Sequence, residues 1–260
     1  MLTNNHNFNY TNMLLAIVIP CYNEESRLPK EEFLEYVGCR ENINFLFVND
    51  GSVDGTKEML VSLCARHARL HFLNLPQNEG KAEAVRQGVL FAQQHFDTRY
   101  IGFWDADLAT PLNEIDRMIS VLGEKQYDIM TGLRLLRLGA NVSRKRTRHF
   151  FGRVFATVTA RVLNINVYDT QCGAKLFKTN LITQLFNQPF VSKWFFDIEI
   201  LARYINLHGK DAANNCICEF PILQWNDVGG SKLKMKDFIT VPFELLKIKR
   251  HYFKKRKNGY

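Results

Sequence analysis

Carboxylate and amide side chains are concentrated at four places in the first half of the sequence, each directly after a short apolar run. The four segments read CYNEE (21–25), NDGSVDGT (49–56), NEGK (78–81) and DAD (105–107). A single segment of this kind is adequately explained as a turn or a helix cap, because Asn, Asp, Gly and Ser favour both. Four such segments in succession favour a shared polar site.

Asp105 and Asp107 are the residues with the most specific chemistry. Two carboxylates at positions i and i+2, where an apolar strand ends, can converge on one divalent cation, and Mg²⁺ prefers a few carboxylates together with substrate phosphate oxygens. Such a cation would neutralise a diphosphate leaving group. A helix cap with an exposed turn carboxylate is the alternative, and the preceding apolar run YIGFW favours the metal site.

The segments that must position these residues alternate between two types over the first 135 residues. Apolar runs typical of strands are followed by stretches typical of helices, which is the pattern of βαβ units. The predicted strands cover 14–20, 44–50, 70–75, 100–107 and 127–132, and the predicted helices cover 30–41, 54–68, 80–96 and 111–124. Because the strands are apolar at nearly every position, we expect an α/β fold with a mostly parallel sheet and helices on both faces. Parallel sheets bind ligands at the carboxyl ends of their strands, where the four polar segments lie.

Charge is divided unevenly along the chain. Its 260 residues carry a net charge of +8, but residues 1–130 have 11 Lys+Arg and 18 Asp+Glu, whereas residues 131–260 have 23 and 8. The basic half predicts an anionic partner, which is nucleic acid, an anionic membrane surface or a phosphate-bearing substrate. No nucleic-acid-binding motif accompanies the charge, so no nucleic-acid partner is expected.

Membrane-spanning and secreted classes of protein are also disfavoured. No apolar run reaches the roughly 18 residues of a transmembrane helix, and the N-terminal segment lacks the charged start and cleavage site of a signal peptide. The six cysteines are scattered without paired CxxC motifs, which indicates reduced thiols. We therefore expect a cytoplasmic protein.

Two segments of the basic half have the spacing of amphipathic helices. Residues 141–165 combine five cations between 144 and 153 with apolar residues at 151, 154, 155, 158, 162 and 165. Residues 236–260 combine seven cations between 247 and 257 with apolar residues at 238, 241, 245, 248 and 252. Basic amphipathic helices are typical of membrane surfaces, although packing of their apolar faces on the domain is the alternative. Arg144, Arg146 and Arg148 are the candidates for holding an acceptor phosphate.

Six motifs occur in a characteristic order: IVIPCYNEE, FVNDGSVDGT, NEGKAEAVRQG, DADLATP, DTQCGAKLF and WFFDIEIL. From residue 15 to about residue 235 the chain resembles the inverting family 2 glycosyltransferases. These enzymes have the Rossmann-like glycosyltransferase-A fold and use nucleotide-diphospho sugars. DTQCGAKLF, KWFFDIEIL and a late WNDVGGSKL look like the dolichyl-phosphate β-glucosyltransferase branch, with the corresponding mannosyltransferases one step away.

The resemblance implies a role for each polar segment. Residues that match nucleotide-sugar-binding positions are Pro20, Tyr22, Asn23, Glu24, Asp50, Lys81 and Asp105, with Asp50 at the uridine. Lys81 is equally well explained as a lysine at a helix start. Asp105 and Asp107 match the motif that holds Mg²⁺ or Mn²⁺ and the diphosphate. Arg134 matches a basic residue in a loop that closes over the phosphates, and the implied catalytic residues are Asp107, Arg134 and Asp197.

Two features depart from the family pattern. Members with sugar acceptors often carry a Glu-Asp pair whose Asp is the catalytic base, and here the segment reads Phe196, Asp197, Ile198, Glu199. Asp197 is therefore the candidate base and Glu199 the second choice, while an acidic cap of a helix over 196–208 is an equal alternative. A phosphate acceptor is already ionised near neutral pH and needs no strong base. Relatives of this branch also carry a membrane anchor, and none is expected here.

Together these features predict a metal-dependent transferase that moves a hexose, most simply glucose, from a UDP-sugar to a polyprenyl or dolichyl phosphate. We expect peripheral attachment to the cytoplasmic face of a membrane. Two alternatives stay open: transfer to a soluble glycan or surface-polysaccharide precursor, with Asp197 as an essential base, and a non-catalytic nucleotide-sugar-binding or membrane-adaptor protein.

The predicted organisation has three parts. They are a disordered tail (1–12), a glycosyltransferase domain (13–235) and a basic amphipathic C-terminal helix (236–260). Within the domain, residues 13–135 form the nucleotide-sugar-binding part and residues 136–235 the acceptor-binding part.

Overall fold

The computed structural model describes residues 14–142, 146–226 and 237–253. Its strands are β1 Leu15–Cys21, β2 Ile43–Asp50, β3 Leu70–Leu75, β4 Tyr100–Trp104, β5 Ile129–Leu133, β6 Asn141–Val142, β7 Ala174–Lys178, β8 Ile217–Pro221 and β9 Gln224–Trp225. Its helices are α1 Lys30–Gly38, α2 Thr56–Cys64, α3 Lys81–His95, α4 Asn113–Glu124, α5 Arg146–Leu163, α6 Ile182–Phe186, α7 Phe196–Cys216 and α8 Asp237–Phe253.

Seven of the described strands form one sheet in the order β3-β2-β1-β4-β7-β5-β8. The first four strands are mutually parallel, and β5 is parallel to β8, which confirms the predicted mostly parallel sheet. Strand β7 is the exception, because it runs antiparallel between β4 and β5. Its five residues, AKLFK, are too few and too polar at the ends to form a recognisable apolar run.

The central strands are buried on both faces, as their continuous apolar sequences predict. Leu15, Ile17 and Ile19 of β1 pack in one core with α1, α2 and α4. Ala16 and Val18, which point to the opposite face, pack in a second core with α3, α7 and α8. The sheet is therefore the middle of three layers, and its carboxyl edge is left open for the polar loops.

Helix α8 packs on the domain through the apolar stripe that its sequence suggested for a membrane. Leu245 and Ile248 are 1% and 0% exposed and belong to the second core. For these residues the packing alternative is confirmed, because tertiary packing against α7 and α5 covers them. The side chains at positions 238 and 241 of the same stripe lie outside the description. A different face of α8 carries exposed apolar residues, Phe243 at 70% and Leu246 at 45%.

Helix α5 also divides its apolar residues differently from the expectation. Val154 and Val158 are exposed, whereas Phe155 and Val162 are partly buried against the second core. Within the described residues, the helices all fall short of the combined length and apolar character required to cross a bilayer.

Candidate functional site

The loops after β1 and β2 are joined to each other at the carboxyl edge of the sheet. The backbone N–H of Asn23 donates to Ser52 Oγ at 3.0 Å, and the N–H of Val53 donates to Asn23 Oδ1 at 3.0 Å. The N–H of Glu24 donates to Thr56 Oγ1 at 2.8 Å. Asn23 has a φ of 55°, a left-handed conformation that asparagine adopts more readily than most residues. Two predicted nucleotide-binding residues thus shape this part of the rim.

The other two predicted residues of the first loop lie beside them. Pro20 is the penultimate residue of β1, opposite Val48 of β2 in the parallel register, and Tyr22 follows the strand directly. Both are partly exposed. The structure therefore brings all four predicted residues of the segment from 20 to 24 to the same edge of the sheet.

Asp50, at the end of β2, holds the loop that precedes α3. Its Oδ1 accepts the N–H of Glu79 at 2.8 Å, and its Oδ2 accepts the N–H of Gly80 at 3.0 Å. Burial raises the pKa of the Asp50 carboxyl above its usual range, although these two hydrogen bonds oppose the shift. Gly80 has a φ of 93°, which only glycine adopts without strain. The carboxylate expected at the uridine therefore also fixes the start of α3.

Lys81, the first residue of α3, reaches across the rim to the end of β4. Its Nζ forms an ion pair with Asp105 Oδ1. Burial opposes the charge of Lys81, but the carboxylates of Asp105, Asp197 and Asp107 outweigh it and raise the pKa of the ammonium group. Lys81 is therefore charged, and it is acted on by two carboxylates that follow β4 and by one in the first turn of α7.

Asp105 and Asp107 are held by backbone contacts directly after β4. The N–H of Asp105 donates to the carbonyl oxygen of Gly173 at 3.0 Å, which brings the DTQCG segment against the end of the strand. A Cβ at position 173 would lie 1.8 Å from Asp105 Oδ2, so the close approach requires glycine. Asp107 Oδ1 accepts the N–H of Ala109 at 3.1 Å.

The environment separates the pKa values of the two aspartates. Burial acts to raise the pKa of Asp105, but the positive charges of Lys81 and Arg134 outweigh it and lower that pKa. Burial and the negative charge of Asp105 together raise the pKa of Asp107. Asp105 thus has cations beside it, whereas an added cation near Asp107 would lower the raised pKa of that carboxyl group.

The donor set fits a divalent cation that shares its ligands with a substrate. Across residues 14–142, 146–226 and 237–253, no three His, Cys, Asp or Glu side chains come together as a metal cluster. Asp105 and Asp107 alone supply two carboxylates, and Mg²⁺ and similar ions are commonly held by one or two carboxylates plus phosphate oxygens and water. These two residues therefore suit a cation that binds together with a phosphate ligand.

Arg134 follows β5 and is locked by Asp169, a residue to which the sequence assigned no role. Nε and Nη2 of Arg134 donate to the two carboxylate oxygens of Asp169, each at 2.7 Å. The guanidinium carbon lies 5.4 Å from the centre of the Trp225 ring. Burial opposes its charge, but Asp169 outweighs burial and raises the pKa of Arg134. Such a bidentate pair fixes both position and orientation of the guanidinium.

Asp197, the candidate base, is paired with a buried lysine. Asp197 Oδ1 accepts a hydrogen bond from Lys175 Nζ at 2.6 Å, and the same ammonium donates to the carbonyl oxygen of Cys172 at 2.6 Å. The Lys175 side chain is 1% exposed and that of Asp197 is 10% exposed. The positive charge of Lys175 also acts on Asp105. Lys175 therefore links the first turn of α7 electrostatically to the end of β4.

Glu199, the second candidate base, is instead part of a buried structural network. Its oxygens accept hydrogen bonds from the backbone N–H groups of Val191 and Ser192, from Arg203 Nη2 and from the Tyr252 hydroxyl. Because the residue is 0% exposed, a substrate has no access to it. This network ties α7 to α8, and Glu199 as a base is excluded by its burial.

Sequence reasoning missed Asp169, Gly173 and Lys175. All three belong to the DTQCGAKLF motif, whose letters indicate the family but not the contacts of its individual residues. A buried strand that contains a lysine, AKLFK, is itself a signal, because lysine is almost never fully buried unless it is paired. That signal would have predicted a carboxylate partner for Lys175, although not which one.

A groove beside β5 is lined by Arg134 and Arg153, by Asp169, and by several apolar and neutral polar side chains. It is bounded by the segment after β5, by α5 and by the loop before β7, and its lining includes Leu136, Phe155 and Tyr168. The guanidinium carbon of Arg153 lies 4.8 Å from the centre of the Tyr168 ring. An anionic head with an apolar tail has the chemistry that matches such a surface.

The three arginines predicted to hold an acceptor phosphate are only partly covered by the structure. Arg144 lies outside the described residues. Arg146 and Arg148 belong to the first turn of α5, and their side chains lie outside the description. Their role stays a prediction.

Residues 16–186 match the family described as Glycosyl transferase family 2, and the chain belongs to this family. The resemblance seen in the motifs is thereby confirmed, and the protein is a glycosyltransferase with the glycosyltransferase-A fold.

Several named enzymes are similar over most of the chain. A dolichyl-phosphate beta-glucosyltransferase of Trichomonas vaginalis is 31% identical over 255 residues, covering 93% of this chain and 74% of the relative. The dolichyl-phosphate beta-glucosyltransferase of Saccharomyces cerevisiae is 30% identical and covers 92% and 75%. Among solved structures, glucosyl-3-phosphoglycerate synthase from Mycobacterium tuberculosis with Mn²⁺, uridine diphosphate and glucosyl-3-phosphoglycerate aligns with a TM-score of 0.67 at 15% identity, covering 95% and 82%. That likeness concerns the fold.

Proposed function

We propose that this glycosyltransferase moves glucose from UDP-glucose to a polyprenyl phosphate, with dolichyl phosphate as the first choice, and that a divalent cation assists. One observation carries the proposal: Arg134 lines the groove that also contains Arg153 and apolar side chains, and its charge also acts on Asp105. A donor diphosphate at the two aspartates and an acceptor phosphate in the groove would therefore meet at Arg134. The names of the similar enzymes support this choice of substrates.

The chain's own residues have defined tasks in such a transfer. The loops fixed by Asn23 and Asp50 would orient the nucleotide, and Lys81 would supply positive charge at the diphosphate. Asp105 and Asp107 would hold Mg²⁺ or Mn²⁺, which neutralises charge on the departing diphosphate. Arg134 is pre-organised by Asp169, so it needs no reorientation when negative charge develops on the leaving group.

The bonding changes balance without a proton acceptor. An oxygen of the acceptor phosphate forms a bond to the anomeric carbon, on the face opposite UDP, and the bond from that carbon to the β-phosphate oxygen breaks. The electron pair of the broken bond leaves with UDP, and attack on the opposite face inverts the configuration of the anomeric carbon. Because the second pKa of a phosphate monoester is about 6, the attacking oxygen is already ionised near neutral pH.

The contacts of Asp197 support the phosphate acceptor over a sugar acceptor. A sugar hydroxyl needs a base to remove its proton, whereas the Asp197 carboxylate is almost buried and engaged by Lys175. In this proposal Asp197 is a counter-ion that holds Lys175 in place. A sugar acceptor would instead require Asp197 to be free to take the proton.

Release of UDP tests the proposal directly. The purified protein is incubated with UDP-glucose, with and without a polyprenyl phosphate and with and without Mn²⁺, and UDP and glycolipid are quantified. We expect both products only when lipid phosphate and metal are present, and much less with GDP-mannose as donor. Transfer to a soluble glycan but not to lipid phosphate, with loss of that transfer in Asp197→Asn, would favour the other acceptor class.

We also propose that the exposed face of α8 contacts the membrane that contains the acceptor. Phe243 and Leu246 are one turn apart and exposed, and Lys249 and Arg250 are exposed on the same helix. Each Lys or Arg close to an anionic leaflet contributes about 1 kcal/mol to binding. Apolar insertion and charge would thus act together.

Sedimentation with liposomes tests this contact. The double variant Phe243→Ser/Leu246→Ser should bind anionic liposomes more weakly than the wild type, with unchanged UDP binding. Val61→Ser, which replaces an equally exposed apolar residue of α2, is the matched control and should sediment like the wild type. Equal sedimentation of all three proteins would contradict the proposed contact.

A further inference from the structure

The Lys81 residue that pairs with Asp105 has a fixed backbone and a flexible, charged side chain. The loop before Lys81 is held by the two hydrogen bonds from Glu79 and Gly80 to Asp50, so the backbone at the start of α3 is fixed. The ammonium group, in contrast, stands on a flexible four-carbon stem. The side chains of Lys81 and Asp105 are 45% and 35% exposed, so a ligand can reach both.

An ammonium group and a divalent cation compete for the same carboxylate. Lys81 Nζ already occupies Oδ1 of Asp105, and a divalent ion beside it would be repelled by its charge. The charges of Arg134 and Lys175 also act on Asp105 and add to this repulsion. Within the described residues, no third acidic or metal-ligating side chain joins the two aspartates to compensate. The protein without nucleotide therefore offers a divalent ion a poor site.

A nucleoside diphosphate changes this balance because it brings negative charge of its own. Its phosphate oxygens can accept hydrogen bonds from the lysine and also ligate the metal. Because Asp50 holds the backbone at the start of α3, the ammonium would pass from the carboxylate to a phosphate by rotation of the Lys81 side chain.

We propose that Lys81 is an internal counter-ion of Asp105. When the donor diphosphate binds, the Lys81 ammonium group moves from the carboxylate to the diphosphate, and metal binding therefore depends on nucleotide binding. This inference rests on the proposed function, because it assumes a nucleoside diphosphate donor and a divalent cation. In this inference Lys81 controls the order in which the nucleotide and the divalent cation bind, in addition to contacting the nucleotide.

A second lysine–aspartate pair provides a matched control. Lys178 Nζ lies 2.7 Å from Asp128 Oδ1, with side chains 24% and 21% exposed, at the other end of the sheet. Lys178→Met removes the same charge and a similar contact, but Asp128 has no part in the proposed metal site.

The test measures Mn²⁺ binding by electron paramagnetic resonance, which detects the free ion, with and without saturating UDP and without any sugar transfer. Without UDP, Lys81→Met should bind Mn²⁺ on the order of tenfold more tightly than the wild type, because one competing positive charge is gone. Lys81→Arg, which keeps the charge, and Lys178→Met should both bind Mn²⁺ as the wild type does. Thermal unfolding of each variant verifies that it is folded.

The coupling between the two ligands gives a second readout. UDP should tighten Mn²⁺ binding strongly in the wild type and by a clearly smaller factor in Lys81→Met, and Mn²⁺ should change the affinity for UDP by the same two factors. Equal Mn²⁺ affinity of Lys81→Met and the wild type without UDP, including an absence of binding in both, would overturn the inference.

The inference and the proposed function fail in different ways. If the metal effect of Lys81→Met is observed but no glucose reaches a polyprenyl phosphate, the substrate assignment is wrong and the counter-ion role stands. If transfer occurs but Lys81→Met leaves Mn²⁺ binding unchanged, the counter-ion role is wrong and the substrate assignment stands.

Discussion

The first part of the protein (residues 14–133) and the second part (residues 134–253) build their polar sites in different ways. In the first part, side chains such as Asn23 and Asp50 hold the backbone of neighbouring loops, all at the ends of parallel strands. In the second part, charged side chains form largely buried ion pairs with one another, as in Arg134–Asp169 and Lys175–Asp197.

The two parts also differ in the apolar surface they expose. Among the described residues, three large apolar side chains are exposed in the first part and ten in the second. The second part carries the excess of positive charge as well. The difference is the one that the proposed substrates would require, since a water-soluble nucleotide and an apolar, anionic acceptor need different surfaces on one fold. The predictions below test each side of the comparison.

The largest effect is expected at the carboxylates of the first part. Asp107→Asn should lower turnover on the order of 10²- to 10³-fold, because it weakens the group that neutralises developing charge. Metal-dependent UDP binding should fall in parallel, measured by calorimetry with and without Mn²⁺. Asp116→Asn, which removes a carboxylate paired with Arg40 away from the rim, should leave both quantities unchanged. If Asp107→Asn transfers the sugar as the wild type does, the assignment of Asp107 to metal and diphosphate binding is wrong.

The next effect concerns stability in the second part. Arg203 donates hydrogen bonds to Glu199, to the Tyr252 hydroxyl and to three backbone carbonyl groups, and it is 6% exposed. Arg203→Ala should therefore lower the free energy of unfolding by about 3 to 5 kcal/mol, because a buried carboxylate loses its partner. Urea unfolding measures this loss. Arg66→Ala, which breaks an exposed pair with Glu31, should produce no measurable change. Similar losses for both would contradict the importance of buried pairs.

A smaller effect is expected where the two parts touch. Gly173→Ala places a methyl group on Asp105, so the free energy of unfolding should fall by about 1 to 3 kcal/mol, and turnover should fall with it. Gly38→Ala is the control, since nothing lies within 4 Å of a Cβ at that position. Urea unfolding and UDP release measure the two quantities. A fully active and stable Gly173→Ala protein would show that the contact between the DTQCG segment and β4 is dispensable.

The smallest effect is a pH dependence. Burial acts to raise the pKa of Asp128, but hydrogen bonds from Lys178 and Tyr204 outweigh it and lower the pKa below the ordinary 3.8. A lowered pKa in the folded state stabilises the protein above about pH 3.8 and loses this contribution as the pH falls through the folded value. The stability advantage of the wild type over Asp128→Asn, on the order of 1 kcal/mol at pH 6, should shrink below pH 4. A constant difference from pH 6 to pH 3, measured by urea unfolding, would contradict the assignment.

Much of the first part could be predicted because its signals are local. The first five strands and the four helices between them were located within a few residues, since each is a continuous apolar run or a helical repeat of at least five residues. Asp105, Lys81 and Asp50 could be predicted to lie together because parallel strands bring their ends to one edge. The ion pair between Lys81 and Asp105 was not foreseen, because two loops separated by 24 residues must first be placed side by side.

The second part was predicted less well because its signals are not local. Strand β7 enters the sheet antiparallel, and no periodicity in five residues reveals the direction in which a strand is inserted. The apolar stripe of the C-terminal helix had two possible partners in the sequence, a membrane or the domain itself, and the structure shows that its residues Leu245 and Ile248 are buried against the domain.

The sequence by itself determined the family, the alternation of strands and helices, the acidic rim and the unequal division of charge, because each depends on residue type and spacing along the chain. The tertiary structure alone decided which charges are paired. Asp169 forms an ion pair with Arg134, Lys175 forms one with Asp197, and Glu199 is buried. Such pairing depends on burial and on distances between elements far apart in sequence, and these exist only once the sheet has brought the elements together.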